Sequence, residues 1–150
     1  MIGSDSNSTG TLETLTTTLI DSVNGYRDAA ENAEGTKFQE IFRRNADERS
    51  RIAEELRAEI RRLGGNAPDD GSLLGATHQR FMDLKAAITG RDDTAIINEV
   101  ERGEDYLKEK FEAALNADTS PETRSIIERA YQSVRQGHDQ IRNLKQGLEA

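Results

Sequence analysis

The chain has 150 residues and a formal charge of −8, from 28 acidic against 20 basic side chains. The absence of cysteine excludes a disulfide scaffold, a thiolate zinc site and a cysteine nucleophile, and the acidic balance works against a surface that tracks phosphates. Leucine, isoleucine, valine and phenylalanine sum to 30 residues, near the level below which a chain stays disordered, so hydrophobic periodicity has to decide whether this one folds. No apolar run exceeds three residues, too few to cross a bilayer. The opening MIGSDSNSTG has neither a basic region nor an apolar stretch, so no secretory leader and a cytoplasmic location are expected.

Residues 1–10 are almost entirely small and polar and read as a disordered tail. From Thr11 the apolar positions Leu12, Leu15, Leu19, Val23, Tyr26, Ala30 and Ala33 recur at three and four residues, which predicts one long helix with a single buried stripe. Gly35, in the break that follows, suits a left-handed cap. A second long helix is predicted from about Lys37 to Leu63, with Phe38, Phe42, Ile52, Leu56, Ile60 and Leu63 inward, ended by Gly64, Gly65 and Pro68. A shorter helix from Ser72 to about Thr89 carries Leu73, Leu74, Phe81, Leu84 and Ile88. The third long helix, from Asp93 to about Ala117, turns Ile96, Val100, Leu107, Phe111 and Ala114 inward. Pro121 opens the fourth, which runs to about Leu148 through Ile127, Ala130, Val134 and Ile141.

Two of the connections are short and force antiparallel hairpins. Between the second and third long helices lies a segment whose 72–89 helix rises about 27 Å, enough to carry the chain from one end of a bundle back to the other. The expected fold is therefore an all-α, ferritin-like four-helix bundle with one long crossover containing an extra helix. Residues 11–150 form its single domain. Ile20, Ile97, Leu115 and Leu144 fall at the edges of their stripes and are candidate seams for the crossover or for a partner.

The informative positions are polar residues on apolar stripes. Asn45 and Arg49 occupy the middle of the second helix's stripe, Glu104 lies between Val100 and Leu107, and His138 lies between Val134 and Ile141. Arg49 and Glu104 are each about 16 Å from the start of their helices, which predicts that they meet. The same reckoning sets His138 about 9 Å above Glu104, beside Asn45. A charge at such depth needs a partner, and arginine offers a planar fork to a carboxylate. This layer of Asn45, Arg49, Glu104 and His138 reads as a register-setting device in preference to a catalytic centre.

A two-metal carboxylate bundle draws one glutamate from each of two helices and a Glu-x-x-His pair from each of the others. His78 and His138 are the only histidines; Gly75 and Arg135 precede them by three residues, so neither completes that pair. Arg49 adds a permanent cation where a metal would bind. No metal or other cofactor is expected; the alternative is an iron or manganese site built from Glu31, Glu48, Glu104 and His138. No phosphate-cradling loop or nucleophile elbow is present. The arginines at 43, 44, 57, 61 and 62 are interleaved with acids, so nucleic-acid binding is not expected.

The segments NGYRDAAE (24–31), RSRIAEELRAEIRRLGG (49–65), GSLLGATHQRFMDLK (71–85) and ERGEDYLKEKFEAAL (101–115) resemble a bacterial family of uncharacterised, ferritin-like four-helix-bundle proteins, a domain-of-unknown-function family. The likeness spans about residues 11–148. It implies a ferritin-like shape and a bacterial source, and it supplies no activity and no catalytic residue. The expected function is that of a non-enzymatic cytoplasmic bundle, associated with stress physiology or with assembly, acting through a protein partner or as a homo-oligomer. The alternative is a divergent metal-binding or redox bundle.

Overall fold

The computed structural model describes residues 2–68 and 93–149, with side chains from 7 to 68 and from 93 to 147. Four helices account for them: α1 (Ile2–Asn32), α2 (Thr36–Arg62), α3 (Asp93–Leu115) and α4 (Pro121–Glu149). No strand occurs among the described residues. The predicted 72–89 helix, with Leu73, Leu74, His78, Phe81, Leu84 and Ile88, lies outside them. So does the Leu148 side chain.

The stripes become the core. All six stripe residues of α1, from Leu12 to Ala30, are buried, as are Ala33 just past its end and Ile96, Val100, Leu107, Phe111 and Ala114 of α3. Threonines and serines are poor helix formers, yet α1 tolerates them because tertiary packing supplies the stability. Buried Thr16 returns its hydroxyl to the Leu12 carbonyl at 2.7 Å, the local bond that lets a threonine sit inside a helix.

Three expectations are corrected. The first helix begins at Ile2 and not at Thr11; Ser8 is buried, and its hydroxyl accepts the Ser120 N–H at 3.0 Å. Apolar periodicity could not reveal that turn, because its contact with the start of α4 is polar. Gly35 has φ −74° and ψ 124° and is the extended N-cap of α2. What the glycine provides is room, since a Cβ there would lie 2.8 Å from the Phe38 ring. The left-handed residue is Gly64, with φ 84°, just past the α2 C-cap Leu63. Ile97 is fully buried and so is not open to an outside partner; Ile20, Leu115 and Leu144 are partly buried against the core.

The short connections make α1–α2 and α3–α4 hairpins. The Asp93 carboxylate accepts the Glu34 and Gly35 N–H groups at 2.9 and 3.0 Å, so α2 and α3 begin at the same end of the bundle and run parallel. α1 packs against both α2 and α3, α3 packs against α4, and α2 touches α4 more sparsely. The core is divided in two. One apolar cluster gathers Leu15, Leu19, Leu56, Phe111 and Val134, and the other gathers Tyr26, Phe42, Ile96, Val100 and Ile141. A charged layer separates them.

Candidate functional site

That layer is centred on Arg49 of α2, which is 1% exposed, and Glu104 of α3, which is 2% exposed. Helical phase dictates their depth: each replaces an apolar residue on an inward stripe. The guanidinium donates through Nη1 to Oε1 at 2.6 Å and through Nη2 to Oε2 at 2.7 Å, the bidentate geometry that matches the two planar groups.

The remaining helices hold the fork in place. From α1, the Ser22 hydroxyl accepts Nη1 at 3.0 Å, and the Tyr26 ring centroid lies 5.6 Å from Cζ, within reach of a cation–π attraction. From α4, the Val134 carbonyl accepts Nη2 at 3.5 Å. Gly137 of α4 leaves the space that Nη2 occupies, because a Cβ at 137 would lie 2.4 Å from that nitrogen. One guanidinium from α2 thus contacts the other three helices of the described bundle.

Electrostatics follow from this enclosure. Burial opposes the charged form of Arg49, and the Glu104 carboxylate more than offsets it, so the pKa rises above the ordinary arginine value. Burial and then the Glu104 charge push the Tyr26 phenol well above its ordinary range, against the opposing influence of Arg49. Tyr26 is therefore a neutral phenol at pH 7 and no base. Its hydroxyl lies beside the Glu104 carboxylate and the Asn45 side chain, and neither it nor Asn45 Nδ2, both buried, makes a hydrogen bond of good geometry.

His138 departs from expectation. It is buried, but its Nε2 faces Asp105 Oδ1 at 2.6 Å and its Nδ1 faces Asp139 Oδ1 at 3.3 Å, with no bond to Asn45. Helical rise predicts a position about 9 Å above Glu104, whereas the observed partner, Asp105, is the residue after Glu104, so His138 sits about 10 Å lower along the bundle. The stack of Tyr131 on Phe111 and the Tyr131–Glu112 bond show the actual register of α4 on α3. The 116–120 connection carries the chain further along the bundle before α4 begins than a tight turn would.

The four residues of the metal alternative are not gathered. Glu31 is exposed, Glu48 pairs with Arg51, Glu104 is held by Arg49, and His138 lies against Asp105. Among the described residues no three histidine, aspartate or glutamate side chains group as metal ligands would. No described helix is long and apolar enough to cross a membrane.

Sequence reasoning missed Ser22, the polar role of Tyr26, Asp105 and Gly137. For Gly137 a signal existed: a glycine three residues after Val134 on an inward stripe marks a close approach. A second buried anion was also missed. Glu59, 5% exposed, takes both prongs of Arg62 at 2.6 and 2.7 Å and the Thr123 hydroxyl at 3.3 Å. Burial and these bonds reveal it; helical phase alone does not set it apart from its exposed neighbours.

Residues 7–117 match a family described as a domain of unknown function (DUF2383), and the chain belongs to that family. The match includes Arg49 and Glu104 and ends before Gly137 and His138. No curated protein matches the chain.

Proposed function

We propose that this member of the DUF2383 family is a non-enzymatic helical bundle that acts by binding, through its outer surface, a protein partner or a second copy of itself. The observation that carries this reading is the closure of the central layer. Arg49 and Glu104 consume each other's charge in a bidentate pair, and the nearby phenol is locked neutral by burial and by the Glu104 charge. A general acid or base needs a titratable group that reaches a substrate, and this pair is 1% and 2% exposed. A resident metal would have to take Glu104 from an arginine that cannot lose its charge.

The reading extends to a ferritin-like chain path, supported by the parallel run of α2 and α3, whose connection has to return over the length of the bundle. It extends also to a cytoplasmic, stress-associated role in a bacterium, and to an absence of nucleic-acid contacts, which alone the net charge of −8 supports.

Melting the metal-free protein with excess ferrous or manganous ion tests the reading directly. A ligand that binds only the native state raises stability with concentration. No shift is expected with either ion; a saturable rise would install the metal-binding alternative. Light scattering over a concentration series separates the two kinds of partner, because a mass fixed at 16.7 kDa would remove self-association.

A further inference from the structure

The central ion pair makes no use of His138, although the two are neighbours. His138 follows Gly137, against which the Arg49 guanidinium rests, and its partner Asp105 follows Glu104. The imidazole side chain is 8% exposed, whereas those of Asp105 and Asp139 are 56% and 59% exposed. An enclosed ring thus points each of its nitrogens at a carboxylate that reaches solvent. Nε2 faces Asp105 Oδ1 of α3 at 2.6 Å, and Nδ1 faces Asp139 Oδ1 of α4 at 3.3 Å.

The number of protons on the ring decides what this arrangement can do. An imidazolium carries an N–H on each nitrogen and satisfies both carboxylates at once, while a neutral imidazole has one N–H and one lone pair. Ionised carboxylates only accept, so around a neutral ring one of the two contacts sets acceptor against acceptor. The shorter contact, across the seam to Asp105, keeps the single N–H. Asp139 then loses its donor, and at an exposed position its carboxylate can turn to water. Histidine is the side chain whose charge ordinarily changes near neutral pH.

We propose that His138 is a proton-operated clasp on the α3–α4 seam: the protonated ring binds Asp105 and Asp139 together, and loss of its proton to solvent frees Asp139 and leaves that face one charge more negative. The other charges around the ring are committed elsewhere or stand a helical turn away. From α3, Glu104 is held by Arg49 of α2 and Glu101 by Lys145 of α4, and Arg102 and Lys108 flank Asp105 at three residues. On α4 itself, Arg135 and Arg142 stand three residues before the histidine and four after it. α1 packs against α2 and α3 and brings no charge to this seam. The clasp is independent of which partner the bundle takes.

The test is an NMR titration of the full-length ¹³C,¹⁵N-labelled protein between about pH 5.5 and 8.5, following the His138 ring and the couplings that report the χ1 rotamers of Asp105 and Asp139. Asp139 is expected to hold one rotamer while the ring is protonated and to average over several once it is neutral, with Asp105 fixed throughout. Asp105→Asn and Asp139→Asn are each expected to weaken proton binding by the ring about threefold or more, because a neighbouring anion favours the protonated form. Both positions are exposed, and the rotamer measurement on the unaltered protein decides the matter if either variant fails to fold. An Asp139 rotamer distribution that ignores the ring's charge would overturn the clasp, as would unchanged proton affinity in the two folded variants. Release of Asp105 in place of Asp139 would overturn the assignment of the arm that lets go.

Discussion

Replacing Gly137 by alanine sets two opposing effects against each other. In an ordinary helix interior the substitution stabilises by roughly 0.5–1 kcal/mol, because alanine loses less backbone entropy on folding. At position 137 the new Cβ lies 2.4 Å from Arg49 Nη2 and 3.6 Å from Glu104 Oε2. The guanidinium must retreat by about 1 Å to reach van der Waals distance, a displacement that strains its bonds to Glu104. A long side chain at the surface would move at little cost, but this one is pinned by Ser22, Glu104 and the Val134 carbonyl. The penalty lies between that of overpacking, about 1–3 kcal/mol, and that of a broken buried pair, about 3–5 kcal/mol. After subtracting the helix gain, a net loss of about 1–3 kcal/mol is expected. Gly103→Ala is the internal comparison: it lies inside α3, and a Cβ there meets nothing within 4 Å, so a gain of about 0.5–1 kcal/mol is expected. Urea unfolding with an unchanged m-value measures both. If the two alanines stabilise alike, the guanidinium does not rest on α4.

Two further outcomes follow from the ends of the bundle. Asp93→Ala removes the acceptor of the Glu34 and Gly35 N–H groups and should cost about 1–2 kcal/mol in the same urea assay, with Asp93→Asn, which keeps one acceptor, costing less. At the other end, the Arg62 hydrogen bonds lower the Glu59 pKa against the opposing effect of burial. A carboxylate depressed on folding contributes stability above its unfolded pKa and loses it as pH falls through the folded value. Melting temperature should therefore drop on acidification through and below the ordinary carboxylate range, and Arg62→Ala should flatten part of that slope; an identical slope in the variant would show that the pair contributes nothing.

Most of the architecture was legible in the sequence, because apolar residues repeat at helical spacing and the turns carry glycine and proline. The pairing of Arg49 with Glu104 was legible for a related reason: two parallel helices that start at one end keep a common scale of height. The partner of His138 was not, because α4 has its own origin, set by the path of the 116–120 connection, and no periodicity in the chain encodes that offset. The first turns of α1 were hidden by their chemistry. Ser8 is buried through a hydrogen bond to Ser120, and a serine on a polar segment looks the same in the sequence whether it is solvated or docked. Gly137 was visible as a residue type, but its role depends on which helix faces it, a fact of packing and not of local pattern.

The central claim is that one buried ion pair, Arg49 with Glu104, joins the four described helices. A double-mutant cycle tests it most directly, with Arg49→Met, Glu104→Leu and the pair measured by urea unfolding. Each single change strands a buried charge and is expected to cost about 3–5 kcal/mol, whereas the double change replaces the pair with packed apolar groups and should recover much of that loss. The account predicts a coupling energy of at least about 2 kcal/mol. Additive losses, with the double variant as unstable as the sum of the singles, would contradict it.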